Sequence, residues 1–149
     1  MPRRHHSAYT VEQSDFVAYV RIDQDIKQTA WKEVGKRFRE QFDVKRVDSA
    51  VQALFQRRKT TIPDTDRKGR LQFDDRDQVR MIKVSVTTDW KAVGLLSAYP
   101  ERAIRYSWVT DKDKQKVKEI GLFRQQQLDD ATERQRKRRN EQFQPSPQN

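Results

Sequence analysis

A seven-residue motif occurs twice in this chain, and the repetition constrains the fold more than any other feature. Thr29-Ala-Trp-Lys-Glu-Val-Gly35 returns as Thr88-Asp-Trp-Lys-Ala-Val-Gly94, with five identical positions. Residues with the spacing of a buried helix face follow each copy: Ala50, Val51 and Phe55, then Ala103, Ile104 and Trp108. An internal repeat of this kind indicates that one small helical unit is present twice.

Composition favours helices over sheets. Charged residues make up 36% of the chain and only 4 residues are Gly, a mixture that is typical of helical proteins. The hydrophobic fraction of 34% can supply two small cores but not one large core. We therefore predict an all-α protein with two tandem three-helix units and a charged C-terminal helix.

The boundaries of these parts follow from turn-forming residues and changes in composition. Thr10 is a good N-cap for the first helix, while Pro63 and Gly69 interrupt any helix between the two units. The β-branched run 84–88 has strand propensity, but the repeat favours a helix there. We expect a basic arm (1–9), a first unit (10–59), a linker (60–72), a second unit (73–110), a charged helix (111–141) and a tail (142–149).

Charge predicts the class of partner. The net charge of +10, from 32 basic and 22 acidic residues, favours nucleic acid ahead of an anionic membrane surface. No apolar run is long enough to span a bilayer, so we predict no membrane partner. The chain has no Cys and no Gly-rich phosphate loop, and its only His residues are His5 and His6. We therefore predict no enzyme activity, no cofactor and no metal site.

The third helix of each predicted unit resembles that of the Myb/SANT family. The family commonly reads Arg-Thr-Asp/Glu-x-Ala-Ile/Val-x-x-x-Trp, and this chain has Arg46-Val-Asp-Ser-Ala-Val-Gln-Ala-Leu-Phe55 and Glu101-Arg-Ala-Ile-Arg-Tyr-Ser-Trp108. The Trp-Lys-x-Val-Gly motif is similar to the core of the family's second helix. The resemblance implies that the two tandem three-helix units are of the Myb/homeodomain-like helix-turn-helix type. This similarity places Trp31, Trp90 and Trp108 in helical cores, and it covers about residues 9–59 and 73–110.

The resemblance implies a nuclear protein of transcription or chromatin whose third helices read double-stranded DNA. Positions that match the family's DNA-facing residues are Ser49, Gln52, Ala53 and Gln56 in the first unit, and Arg102, Arg105, Tyr106 and Val109 in the second. Cations nearby either contact phosphate or stabilise a helix end. The predicted DNA contacts are Ser49, Gln52, Gln56, Arg57, Arg58, Lys59, Arg102, Arg105, Tyr106 and Lys112.

Two alternatives stay open at this point. A SANT-type protein-interaction module would bind a histone or another subunit of a chromatin complex. The lack of an acidic third helix favours DNA, whereas the lack of a base-reading Asn favours the module, and the two units could also differ in partner. The basic cluster Arg134–Arg139 is an import signal, a phosphate-binding arm or a solvated helix end.

Overall fold

The computed structural model describes residues 9–143, and this part of the chain is mostly helical. The coarse all-α prediction is therefore confirmed, with one small two-stranded sheet as an addition. The predicted arm and tail lie almost wholly outside the described residues. The elements, in chain order, are α1 (Val11–Ala18) with a π-helical turn (Tyr19–Asp23), α2 (Trp31–Phe42), α3 (Asp48–Arg58), β1 (Thr61–Pro63), β2 (Met81–Lys83), a 3₁₀ turn (Trp90–Val93), α4 (Leu95–Ala98), α5 (Pro100–Ala103) and α6 (Asp111–Phe143).

The chain divides into two compact units that interleave along the sequence. Unit 1 comprises Met1–Ile62 and Lys83–Tyr99, and unit 2 comprises Pro63–Ile82 and Pro100–Asn149. This division differs from the tandem arrangement expected from the repeat. Both copies of the seven-residue motif belong to unit 1, so the motif does not mark two separate units.

The core of unit 1 is formed by α1, α2 and α3, which pack against one another. The helix start at α1 is as expected: Thr10 Oγ1 accepts from the backbone N–H of Gln13 at 3.1 Å, and Gln13 Oε1 accepts from the backbone N–H of Thr10 at 3.0 Å. This reciprocal capping box satisfies two backbone donors that the helix itself leaves unpaired. Phe38 from α2 and Val51 from α3 are fully buried between the helices.

The second copy of the motif does not repeat the fold of the first. Residues 31–42 form a continuous helix, whereas Trp90–Val93 form a 3₁₀ turn that ends at Gly94, with φ −70° and ψ 166°. A Cβ on Gly94 would lie 2.6 Å from Asp23 Oδ1 and 2.7 Å from Ile22 Cγ2. Glycine is therefore required here by close packing against the π-helical turn. Pro100 follows soon after and limits any helix that begins at α4.

The helix predicted from residue 73 through the run 84–88 is wrong. The carboxylate of Asp74 accepts from the backbone N–H groups of Arg76 and Gln78, at 2.8 and 2.9 Å, and this arrangement competes with a helix. Asp77 adopts φ 59°, in the left-handed region, and ends the turn. Phe73 and Val79 then pair as an antiparallel bridge, and β2 follows. The run 84–88 itself forms a turn, neither helix nor strand, so its β-branched propensity did not predict its structure either.

Unit 2 is organised around α6, the predicted charged helix. The side-chain amide of Gln127 accepts from the backbone N–H of Leu71 at 2.8 Å and donates to its carbonyl oxygen at 3.2 Å. The Nε of Arg124 donates to the carbonyl oxygen of Gly69 at 2.7 Å. Two polar side chains of α6 thus hold the segment 69–71 through its main chain. Such bonds do not depend on the side chains of the segment.

The third helix predicted for the second unit is also different. The helix α5 is only four residues long and ends at Ala103, and the chain then passes through turns until α6 begins. Gly121 of α6 lies close to the carbonyl oxygen of Pro100, since a Cβ there would be 2.9 Å from it. The short helix therefore packs directly on the backbone of α6 and is not an independent recognition helix.

Candidate nucleic-acid interface

The helix α3 follows α2 after a connection of five residues, 43–47, with Asp43 in the left-handed conformation at φ 50°. The turn is held by Arg39, whose Nη1 donates to the carbonyl oxygen of Arg46 at 3.0 Å and to Asp48 Oδ1 at 2.6 Å. The acid in the first turn of α3 is therefore paired with a cation of α2. This ion pair compensates the negative charge of Asp48, which is the one carboxylate of α3.

The buried and exposed faces of α3 are clearly separated. Val51, Leu54 and Phe55 face the core of unit 1. The other face is polar or small: Ser49, Ala53, Gln56 and Arg57 are exposed and Gln52 is half-buried. The structure therefore places four of the predicted contacts of this helix, Ser49, Gln52, Gln56 and Arg57, where a ligand could reach them.

Arg58 is a structural residue and not a surface contact. Its Nη1 donates to Asp15 Oδ1 at 2.5 Å and to Ser14 Oγ at 3.2 Å, and its guanidinium lies 5.1 Å from the ring centre of Tyr99. The Asp15 side chain is 0% exposed and that of Arg58 is 9% exposed. A cation committed to a buried carboxylate is not available to a phosphate, so Arg58 leaves the set of candidate contacts.

Lys59 and Gln56 border a cavity of about 380 Å³ in unit 1. Residues from both copies of the seven-residue motif line the cavity, among them Trp31 from the first copy and Trp90 from the second. Lys59 caps the end of α3 with its ammonium 5.9 Å from the ring centre of Phe55. The repeated motif thus forms two sides of one cavity beside the C-terminal end of α3.

Arg21 is the most constrained polar residue of this cavity. Its guanidinium lies 4.5 Å from the ring centre of Trp31 and donates to the carbonyl oxygen of Thr29 at 2.5 Å and to Gln28 Oε1 at 2.8 Å. Its Nε is buried and has no hydrogen-bond partner among the described residues. Burial lowers the pKa of the Arg21 guanidinium from its ordinary value.

The three tryptophans differ in how far they enter a core. Trp31 is half-buried and packs edge-on against Phe55, with ring centres 5.3 Å apart. Trp90 is 37% exposed, so the prediction that it lies in a core is wrong. Trp108 is half-buried and stacks on Tyr106, with ring centres 4.5 Å apart and an angle of 13° between the planes. Only the first tryptophan belongs to a three-helix arrangement.

The predicted contacts of the second repeat do not share a helix face. Arg102 is half-buried on α5, while Arg105 and Tyr106 lie in the turn after it and Lys112 is exposed in the first turn of α6. Arg105 is engaged within unit 2, because its Nε donates to the carbonyl oxygen of Glu101 at 3.2 Å and its Nη2 donates to Gln125 Oε1 at 2.8 Å. These residues therefore do not form a second recognition surface.

Two important residues escaped the sequence analysis. Asp15 is a buried acid at the edge of an otherwise apolar run, 16–18, and that position was a signal that it needs a cationic partner. Gln127 lies in a Gln-rich stretch of α6 and nothing in the sequence distinguishes it from Gln125 or Gln126. Its role depends on which backbone groups pack against the helix.

Comparison with known proteins gives no match to a family model, a curated protein or a solved structure. Among residues 9–143, no three His, Cys, Asp or Glu side chains are grouped so that they could hold a metal ion. His5 and His6 lie outside this range. The same part of the chain contains no helix with the length and apolar character needed to cross a membrane.

Proposed function

We propose that this chain is a nuclear DNA-binding protein of transcription or chromatin, and that the exposed face of α3 contacts duplex DNA. The observation that carries the proposal is the arrangement of α2, a short turn and α3, with a polar outward face whose only acid is paired with Arg39. A helix presented in this way fits the major groove. The net charge of +10 supports an anionic partner.

The side chains of this face have suitable chemistry for DNA. A Gln amide pairs with both the acceptor and the donor of an adenine edge, and Gln52 and Gln56 are one helical turn apart. Arg57, beside Gln56, neutralises a backbone phosphate. The proposal is confined to unit 1, since the Arg102 and Arg105 region does not form a comparable helix. The likeness of unit 1 to Myb-type units is part of the proposal.

One observation favours a second candidate, a SANT-type module that binds a histone or another chromatin subunit. The first two turns of the exposed α3 face carry Ser49, Gln52 and Ala53, which are neutral and small or flexible. Such a face has few groups that contribute long-range attraction to phosphate. The cavity beside α3 adds a partly apolar surface to the same side of the unit.

The test measures binding of the full chain to a selected duplex and to a random-sequence pool by fluorescence anisotropy at two salt concentrations. Gln52→Ala with Gln56→Ala should reduce the preference for the selected duplex by about 30-fold or more, because each of the two bidentate base contacts contributes about 1–3 kcal/mol of discrimination. Arg57→Ala should weaken binding to both duplexes and make the salt slope shallower by about 0.9.

The matched control is Gln115→Ala with Lys116→Ala, which removes an exposed amide and an exposed cation from α6. It should leave the sequence preference unchanged, and circular dichroism should show native helicity in every variant. Failure of the wild-type chain to bind any duplex would reject the DNA proposal. Saturable binding to histones or chromatin subunits in that case would support the SANT-type module.

A further inference from the structure

A second polar cleft lies in unit 2, where the turn 74–78 meets the C-terminal part of α6. Its volume is about 610 Å³. The residues that line it are all guanidinium or amide side chains: Arg76, Gln78, Gln135, Arg138, Arg139 and Gln142. Its lining therefore includes no carboxylate, aromatic or aliphatic side chain.

The two walls of the cleft are anchored to each other. Asp77, in the turn, is paired with both Arg134, at 2.9 Å, and Arg138. Arg138 also donates to the carbonyl oxygen of Asp75 at 3.0 Å, and Gln135 donates to the carbonyl oxygens of Arg76 and Asp77 at 3.3 and 3.0 Å. The cleft is thus built by a network that joins the turn to α6.

Two of the nearby carboxylates are held by bonds within the turn and to α6. The carboxylate of Asp74 accepts from two backbone N–H groups of its own turn, and that of Asp77 is held by two guanidiniums. In contrast, the guanidiniums of Arg76 and Arg139 make no hydrogen bond or ion pair with any described residue, and both side chains are exposed. Two cations on opposite walls are therefore left facing solvent beside the structural Arg138.

We propose that this cleft binds the phosphodiester backbone of a nucleic acid strand. Its donors match phosphate oxygens: the Arg76 and Arg139 guanidiniums provide charge, and the Gln amides add neutral hydrogen bonds. The absence of lining aromatics gives the bases nothing to stack on, so binding is independent of sequence. The absence of apolar lining residues argues against insertion into a membrane surface. This site is separate from the α3 face and does not rest on its function.

The experiment uses the full chain with Arg76→Gln and Arg139→Gln together, so that Arg138 and its anchors stay intact. The probes are a 20-nucleotide single strand, the corresponding duplex and vesicles that contain phosphatidylserine. We expect weaker binding to both nucleic acids for every sequence tried. The salt slope should become shallower by about 1.8 for the duplex and about 1.4 for the single strand, for two phosphate contacts.

The matched control is Lys68→Gln with Lys118→Gln. It removes the same charge from a comparable turn and from α6: Lys68 follows Asp66 in the turn 66–70 as Arg76 follows Asp74 in the turn 74–78, and Lys118 is exposed on α6. A smaller change in the salt slope for the control than for the cleft variant supports a defined phosphate-binding cleft. Equal changes in the two pairs, or no change in the cleft variant, would overturn the proposal.

Two further outcomes distinguish this proposal from binding to a phospholipid surface and from the function proposed for α3. If the cleft variant loses binding to vesicles but not to nucleic acid, the partner is a phospholipid surface and the proposal is rejected. If Gln52→Ala with Gln56→Ala has no effect while the cleft variant weakens binding, the function proposed for α3 is rejected and the cleft is supported. Native helicity and an unchanged melting temperature in both double variants exclude loss of fold as the cause.

Discussion

Arg58, in the last turn of α3, donates to the fully buried carboxylate of Asp15 in α1 across 2.5 Å. The pair joins the first and third helices of unit 1 inside a core that is otherwise apolar. It also explains why a basic sequence at the end of α3 does not behave as one surface. Arg57 is exposed, whereas Arg58 is directed into the unit.

This pair leads to a prediction about stability. Arg58→Ala should lower the free energy of unfolding by about 3–5 kcal/mol, because it leaves a buried carboxylate without its cation. Arg57→Ala, on the exposed side of the same turn, should change it by no more than about 0.5 kcal/mol. Urea denaturation followed by circular dichroism measures both. Similar losses for the two variants would contradict the structural role given to Arg58.

The two tryptophans of the repeated motif should differ in their contribution to stability. Trp31→Ala removes a half-buried ring that packs on Phe55 and carries Arg21 on its face, and we expect a loss of about 3 kcal/mol. Trp90→Ala removes a more exposed ring, and we expect about 1 kcal/mol. Thermal melts of both variants test the order. A larger loss from Trp90 would show that the second copy of the motif is more central than the structure indicates.

The contact between Gln127 and Leu71 predicts a local effect. Gln127→Ala removes both hydrogen bonds to the Leu71 main chain, so the Leu71 amide should exchange with solvent at least about tenfold faster, which corresponds to about 1.4 kcal/mol. Gln126→Ala is the control, since among the described residues the Gln126 side chain donates to Asp130 of the same helix and not to the segment 69–71. Hydrogen exchange followed by NMR reports on the amide directly. Equal protection of the Leu71 amide in wild type and Gln127→Ala would rule out these two hydrogen bonds.

The turn at Asp74 predicts how stability responds to acid. Hydrogen bonds from the backbone N–H groups of Gln78 and Arg76, with the charge of Arg76, hold the pKa of the Asp74 carboxyl below its ordinary value of 3.8. A folded pKa below the unfolded pKa means that Asp74 stabilises the fold above the unfolded pKa. This stabilisation is lost as the pH falls through the lower, folded value.

The measurement is an NMR titration of the carboxyl carbon, which should give a pKa for Asp74 below that of a model peptide. Asp74→Asn keeps an oxygen acceptor for the turn but cannot titrate. The variant should therefore show a weaker loss of stability between neutral and acidic pH than the wild type. A wild-type carboxyl that titrates at or above the ordinary value would refute the assignment of these hydrogen bonds.

The helical class, the cap at Thr10 and the charged helix α6 were all accessible from the sequence. They depend on local features: apolar spacing, a side chain that bonds within its own turn, and long stretches of good helix formers. The start of α3 near Asp48 was accessible for the same reason. The outward face of α3 could also be assigned, because the apolar positions of a helix specify its opposite side.

Only the tertiary structure decided what the second copy of the motif does. Residues 88–94 repeat most of the first copy, yet Trp90–Val93 form only a 3₁₀ turn, and Gly94 packs against the side chains of Ile22 and Asp23. The tertiary structure also determines that Arg58 pairs with a buried carboxylate, whereas the side chains of Arg76 and Arg139 are exposed to solvent. Residue type specifies what a side chain can bond to, but which partner lies within reach depends on how distant segments of the chain pack together.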